Sequence, residues 1–315
     1  MSAVSTAATQ STVRLALQGR RADVRGRLLQ AALLLMLLLS VAVLIALLVR
    51  VVSDAWPVLS ERGLDFLRSN TSSIDTRAGV RQGLLGSFIL IGFVAVVALP
   101  LGVAAAIYIE EYAADTRLNR LLITNIRNLA GVPSIVYGIL GLVVFVKIMR
   151  GITGPEIFGR SHVSGGLTLA MLAMPFVVIV AMEALRAVPN SIREAAYGVG
   201  ATRSEVVRTQ VLPYALPGII TGTVLALARA IGEAAPLYLC GAVTGLLPGR
   251  EALLDPSQLQ ERFTALPVVI AEWARNPREG FSEIAAAAIM VMLVIVLIMN
   301  TVAILLRTHY ERKRS

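Results

Sequence analysis

LLQAALLLMLLLSVAVLIALLV, residues 28–49, runs for 22 residues without a charged side chain. As a helix it reaches about 33 Å, enough to cross about 30 Å of hydrocarbon. Arg14, Arg20, Arg21, Arg25 and Arg27 precede it and Arg50 follows at once. A secretory leader has a shorter apolar run and then a small-residue cleavage site. The stretch therefore reads as a retained first span, 28–50, preceded by a cytoplasmic segment, 1–27.

The rest of the chain has the same character. Over 315 residues, 56% are hydrophobic and 16% charged, with a mean hydropathy of +0.74. That composition excludes an ordinary soluble enzyme, a disordered chain and a disulfide-stapled secreted domain. Five more apolar stretches follow: about Leu84–Ile109, from Val132-Pro133 to Lys147–Arg150, Gly166–Leu185, Leu216–Val243 and Ile284–Leu306. The expected fold is all-α, a polytopic integral membrane protein of six transmembrane helices. Residues 51–82 form an external loop, 83–306 hold the five further helices, and 307–315 are a cytoplasmic tail. Arginine and lysine divide almost evenly between the two sides. Placing both termini in the cytoplasm of a multi-pass cytoplasmic-membrane protein therefore rests on the arginine run at 14–27 and the basic tail.

Scarce residue types exclude several chemistries. The single cysteine, Cys240, can form no intrachain disulfide and reads as a small apolar residue. The two histidines, His162 and His309, fall in separate loops, so no metal cluster is expected. Neither lysine, Lys147 or Lys313, follows a Gly-x-x-x-x-Gly, so the chain carries no phosphate-cradling loop and needs no cofactor of its own. The net charge of +9 lies at the ends of apolar runs rather than on one face, which fits lipid headgroups and not nucleic acid. Glu183 and Arg186, three apart, read as an interfacial pair.

Two features carry chemistry. The loop 189–213, PNSIREAAYGVGATRSEVVRTQVLP, contains two capping-box patterns, Ser191 with Glu194 and Thr202 with Glu205. Gly198 and Gly200 separate the two short helices, and Pro213 is expected to stop the second. Glu194, Ala195, Ala196 and Gly200 form a small-residue knob suited either to a cleft on a cytosolic partner or to the headgroup layer. In the fifth span, Gly218 and Gly222 make a small-x-x-x-small face for close helix packing. Arg229 lies 13 residues beyond Leu216, about 20 Å along a helix. Placing an arginine at that depth costs about 2.5–3.5 kcal/mol on insertion scales, so it must face protein or water. Glu233, four residues on, shares its helical face. The pair reads either as an oxyanion relay or as a self-neutralising structural pair.

Glu194-Ala195-Ala196, Gly200 and Leu212-Pro213 resemble the EAA cytoplasmic loop of ABC-importer permeases, with Gln210 where that motif has isoleucine. The tracts LAGVPSIVYG, 129–138, and ALARAIGEAAP, 226–236, resemble the PstA-type permease subunits of phosphate ABC importers. The resemblance covers roughly residues 80–240. It implies alternating access, a sister permease in a heterodimer, two cytosolic ATPase subunits that bind the ATP, and an external phosphate-binding protein. The same architecture carrying sulfate, molybdate or a phosphonate stays open, as does a signalling scaffold. An intramembrane enzyme is disfavoured, since the spans lack His-x-x-Glu-His, Gly-x-Ser-x-Gly and any pair of aspartates.

Overall fold

The computed structural model describes residues 24–244 and 259–312, with side chains through 308. The arginines before residue 24, the tail from 313 and His309's side chain lie outside the described residues. So does much of the 244–282 excursion, from 245 to 258.

All the described regular structure is helical, as expected. Helix α1, Val24–Arg68, continues well beyond Arg50. Its first part, through Val51, is a unit of its own, with none of the apolar side chains of 28–49 buried. The second part makes residues 52–68 of the expected external segment, 51–82, helical. Ala55, Val58 and Phe66 give it an apolar face that is buried, and only Gly63, at φ 42, bends it. The segment after Arg68 closes through a 3₁₀ turn at Asp75–Arg77.

The larger unit is built around one central helix. Helix α2 is Arg81–Tyr112 and α3 is Arg117–Ala130. Helix α4 is Ser134–Ile148, bent 98° from α3 across Gly131-Val132-Pro133. Helix α5 is His162–Arg186, α6 Asn190–Gly198, and α7 Arg203–Ile231. Helices α8, Ala235–Leu239, α9, Leu266–Trp273, and α10, Phe281–Arg312, complete the fold. Helix α5 is buried along most of its length because α2, α4 and α7 pack around it. Small residues permit the approach. A Cβ on Gly218 would lie 2.9 Å from Ala184 Cβ, and one on Gly222 would collide with Val180. Among the described residues, five helices are long and apolar enough to cross a membrane, and the bent α3–α4 pair makes six if counted as one span.

Two prolines inside long helices, Pro100 and Pro213, are absorbed in the same way, by a π turn just before them. Pro213 does not stop the second loop helix, because a π turn, Val207–Val211, widens the backbone just before it. Leu212 N–H donates to Val207 O, and Pro213 then sits at the start of the α segment Leu212–Ile231. The π turn at Val94–Ala98 precedes Pro100 in α2 in the same way. Such a turn relieves the clash between the proline ring and the carbonyl four residues back.

Candidate functional site

The loop between α5 and α7 is fastened by two acids from another helix. Glu110 and Glu111 lie in the π turn Tyr108–Tyr112 that closes α2, and as neighbours they point in different directions. Glu110 Oε1 lies 2.6 Å from Arg186 Nη2 at the end of α5, though without hydrogen-bond alignment. Arg186 thus turns to Glu110, which corrects the expected pairing with Glu183. Glu111 Oε1 accepts from Arg193 Nη2 at 2.8 Å, with the two side chains only 7% and 18% exposed. Arg193 also donates to Leu185 O at 2.9 Å and Val188 O at 2.7 Å, with a weaker bond to Asn190 Oδ1. One guanidinium therefore ties α6 to α2 and to two main-chain carbonyls at and just past the end of α5.

Arg193 immediately precedes the Glu-Ala-Ala triplet and so sets its attitude. Ile192 and Ala196 face the apolar cluster around Val178, Leu185 and Val206, while Glu194, Ala195 and Tyr197 face outward. Of the two alanines, only Ala195 is fully presented. Gly200, at φ 87, reverses the chain with open space around its Cα, and Val199 beside it is 85% exposed. The Thr202–Glu205 capping box forms, with Glu205 Oε2 accepting from Thr202 N–H at 2.8 Å. The Ser191–Glu194 box does not form. Pro189 is the N-cap, which leaves Ser191 two positions too far into the helix to cap it.

Arg229 sits in the last turn of α7, where the helix dipole favours a cation. Its guanidinium carbon is 4.1 Å from the Phe176 ring centre and its side chain is 51% exposed. The helix ends at Ile231, so Glu233 lies beyond it rather than on a shared helical face. The carboxylate, 20% exposed, still reaches Arg229 Nε at 3.9 Å, a loose ion pair made across the helix end. Gly232 N–H donates to Arg229 O at 3.1 Å to close that end.

The two sequence tracts around this pair meet in space. A Cβ on Gly138 would fall 2.7 Å from Pro236 Cα, so α4 and α8 touch backbone to backbone. Tyr137 Oη donates to Leu129 O at 2.9 Å, which ties the bend before α4 to its first turns. Cys240 is buried, with Sγ 3.2 Å from Thr168 Oγ1. His162 is not a loop residue: it opens α5, is buried, and packs on Phe263 with ring centres 5.6 Å apart. Among the described residues, no group of three His, Cys, Asp or Glu side chains is placed to hold a metal.

Sequence reasoning missed the two acid–arginine contacts. The available signal was a pair of adjacent acids at the end of an apolar helix, which the sequence presents as part of a polar loop.

Comparison with known proteins agrees with this architecture. Residues 98–315 match the family described as binding-protein-dependent transport system inner membrane component. The PstA 1 phosphate transport system permease protein of Mycobacterium tuberculosis is 32% identical over 75% of this chain and 73% of its own length. The probable ABC transporter permease YqgI of Bacillus subtilis is 34% identical over 59% of this chain, a match that spans 61% of that relative. In fold, a chain of a bacterial alginate ABC transporter superposes with a TM-score of 0.63, covering 91% of this chain and 96% of that one at 16% identity. With its bundle of apolar helices, its outward-facing loop helix and a family match across most of its length, the chain belongs to the binding-protein-dependent inner membrane component family and is the membrane permease subunit of an ABC importer.

Proposed function

We propose that this permease moves inorganic phosphate across the cytoplasmic membrane, pairing with a sister permease and working by alternating access. Family membership carries with it an ATPase and a substrate-binding protein as partners; two ATPase subunits and an external phosphate binder are the finer reading. Both termini then lie in the cytoplasm, with the 189–213 loop facing the ATPase. The observation that carries the substrate reading is the half-exposed Arg229 guanidinium, held by Phe176 and by a loose contact to Glu233 where the two PstA-like tracts meet. A planar fork of donors suits a tetrahedral oxyanion, and charge counts most where water is scarce. Glu233 holds the fork while the path is closed and yields it when an anion arrives. Relatives bearing the name of phosphate transport permeases support the choice of anion.

Uptake of labelled phosphate into membrane vesicles, with the partner subunits present, tests the path. Arg229→Gln is expected to abolish uptake without loss of assembly, and Glu233→Gln to slow it. The double variant removes both charges. If it transports at near-normal rate, the pair is structural and the phosphate path lies elsewhere. Competition by sulfate or molybdate at equal concentration would replace phosphate with a broader oxyanion class.

The coupling reading places Glu194, Ala195, Ala196 and Gly200 against an ATPase subunit. Ala195 is exposed on an unstrained helix, so Ala195→Leu alters the docking surface without touching the fold. Membrane levels should be normal while ATP hydrolysis no longer drives uptake; normal coupling would remove the loop from the interface. Gly200→Val should block coupling as well, with backbone strain added by its positive φ.

A further inference from the structure

The end of the fold away from the α6 loop holds a cavity of about 550 Å³ lined by Lys147, Arg150, Arg160 and Arg262. Helix α5 separates the two ends: it starts beside Arg160 and reaches α6 after 25 residues, about 37 Å. No acidic side chain lines the cavity among the described residues. Nor do Lys147, Arg160 or Arg262 enter any ion pair among those residues, whereas the arginines at the opposite end do. Four cations around one hollow repel each other, and an anion brought from outside would offset that cost.

The hollow is built rather than incidental. Four segments converge on it: the end of α4, the turn 154–160, and the stretches 241–243 and 259–262. The turn carries three residues with positive φ, Gly154, Phe158 and Gly159. For phenylalanine, φ 57 is an unfavourable backbone state that the surroundings must enforce. Gly159 lets the turn press on the Val146 backbone, where any side chain would collide. Phe158 is thereby held at the rim, with the Arg150 guanidinium carbon 4.5 Å from its ring centre. Gly241, at φ 91, makes room for Arg160, whose aliphatic stem lies across it: a Cβ there would fall 2.7 Å from Arg160 Cγ. Gln260 Nε2 donates to Ile152 O at 3.1 Å, and Val243 N–H to Phe263 O at 2.9 Å, which fixes the segment bearing Arg262.

We propose that this cavity is an oxyanion-binding site for a phosphate-class group, either a free oxyanion or the phosphate of a lipid headgroup. The inference extends the transport reading, since a free oxyanion bound here would be collected about one membrane thickness from the ATPase-facing loop. Guanidinium and ammonium groups lining one hollow match the several acceptor oxygens of phosphate.

The test reads binding rather than transport, so its failure is distinguishable from failure of the Arg229 path. The full-length chain is placed in phosphatidylcholine nanodiscs and its arginines are labelled with phenylglyoxal, site by site, by mass spectrometry. Inorganic phosphate should slow labelling of Arg160 and Arg262 several-fold while exposed Arg117 and Arg120 react unchanged. Protection by phosphatidylglycerol nanodiscs without added phosphate would identify the lipid headgroup as occupant. Labelling of Arg160 and Arg262 that neither phosphate nor phosphatidylglycerol slows would overturn the site. In Lys147→Gln/Arg150→Gln the protection of Arg160 should fall several-fold with melting behaviour preserved. Unchanged protection would show that the four cations do not share an anion.

Discussion

The two ends of the helical unit treat positive charge in opposite ways. Beside α6, each arginine that closes α5 or opens the loop has a carboxylate of its own, Arg186 on Glu110 and Arg193 on Glu111. At the far end, Lys147, Arg150, Arg160 and Arg262 share a hollow with no carboxylate among its described lining. A charge that is paired and bonded to main-chain carbonyls fixes geometry. A charge left without a carboxylate is available to something that arrives. The difference separates a mechanical end from a receptive one within a single chain.

The largest effect should come from the mechanical end. Arg193→Gln leaves Glu111 buried without its cation and should destabilise the unit by about 3–5 kcal/mol, read as a lowered melting temperature in detergent. Adding Glu111→Gln should recover much of that loss, because two neutral groups need no ion pair. If Arg193→Gln melts like the parent, the contact is not what holds α6 in place. Next comes the joint between the two ends. Gly222→Leu drives a side chain into Val180 and should cost about 1–3 kcal/mol, with partial relief by Val180→Ala in the same chain. A smaller loss, about 1 kcal/mol, is expected for Thr202→Ala, which removes the cap at the start of α7. The smallest effect sharpens the contrast: Arg160→Gln or Arg262→Gln should leave the melting temperature unchanged or slightly raised, since each removes repulsion. A large destabilisation there would mean that those arginines are bonded parts of the fold.

The architecture was legible in the sequence wherever it depends on runs of one residue class. Uncharged stretches such as 28–49 read directly as helices, and the four-residue spacing of Gly218 and Gly222 foretold a tight helix contact, which α5 supplies. What stayed hidden depends on distance along the chain. Glu111 and Arg193 are 82 residues apart, and no local period records their meeting. Proline was misleading for a related reason. Pro213 looks like a stop signal because its missing N–H and bulky ring end ordinary helices, yet one π turn makes room for it. For Arg229 and Glu233, sequence spacing brought the pair together correctly but placed it on a helix face; the end of α7 at Ile231 makes the contact looser.

That unbroken passage through Pro213 makes α7 a single lever. It starts at Arg203, just past the Thr202 cap, and ends two residues after Arg229. Twenty-nine helical residues are about 43 Å of stiff rod. Pivoted near its middle, where Gly218 and Gly222 bear on α5, a tilt of about 5° would carry each tip about 2 Å in opposite directions. The Arg229–Glu233 contact, already 3.9 Å long, has little travel to spare before it opens. A small push at the loop is thus carried to the Arg229 end, with no need for the helix to unwind in between.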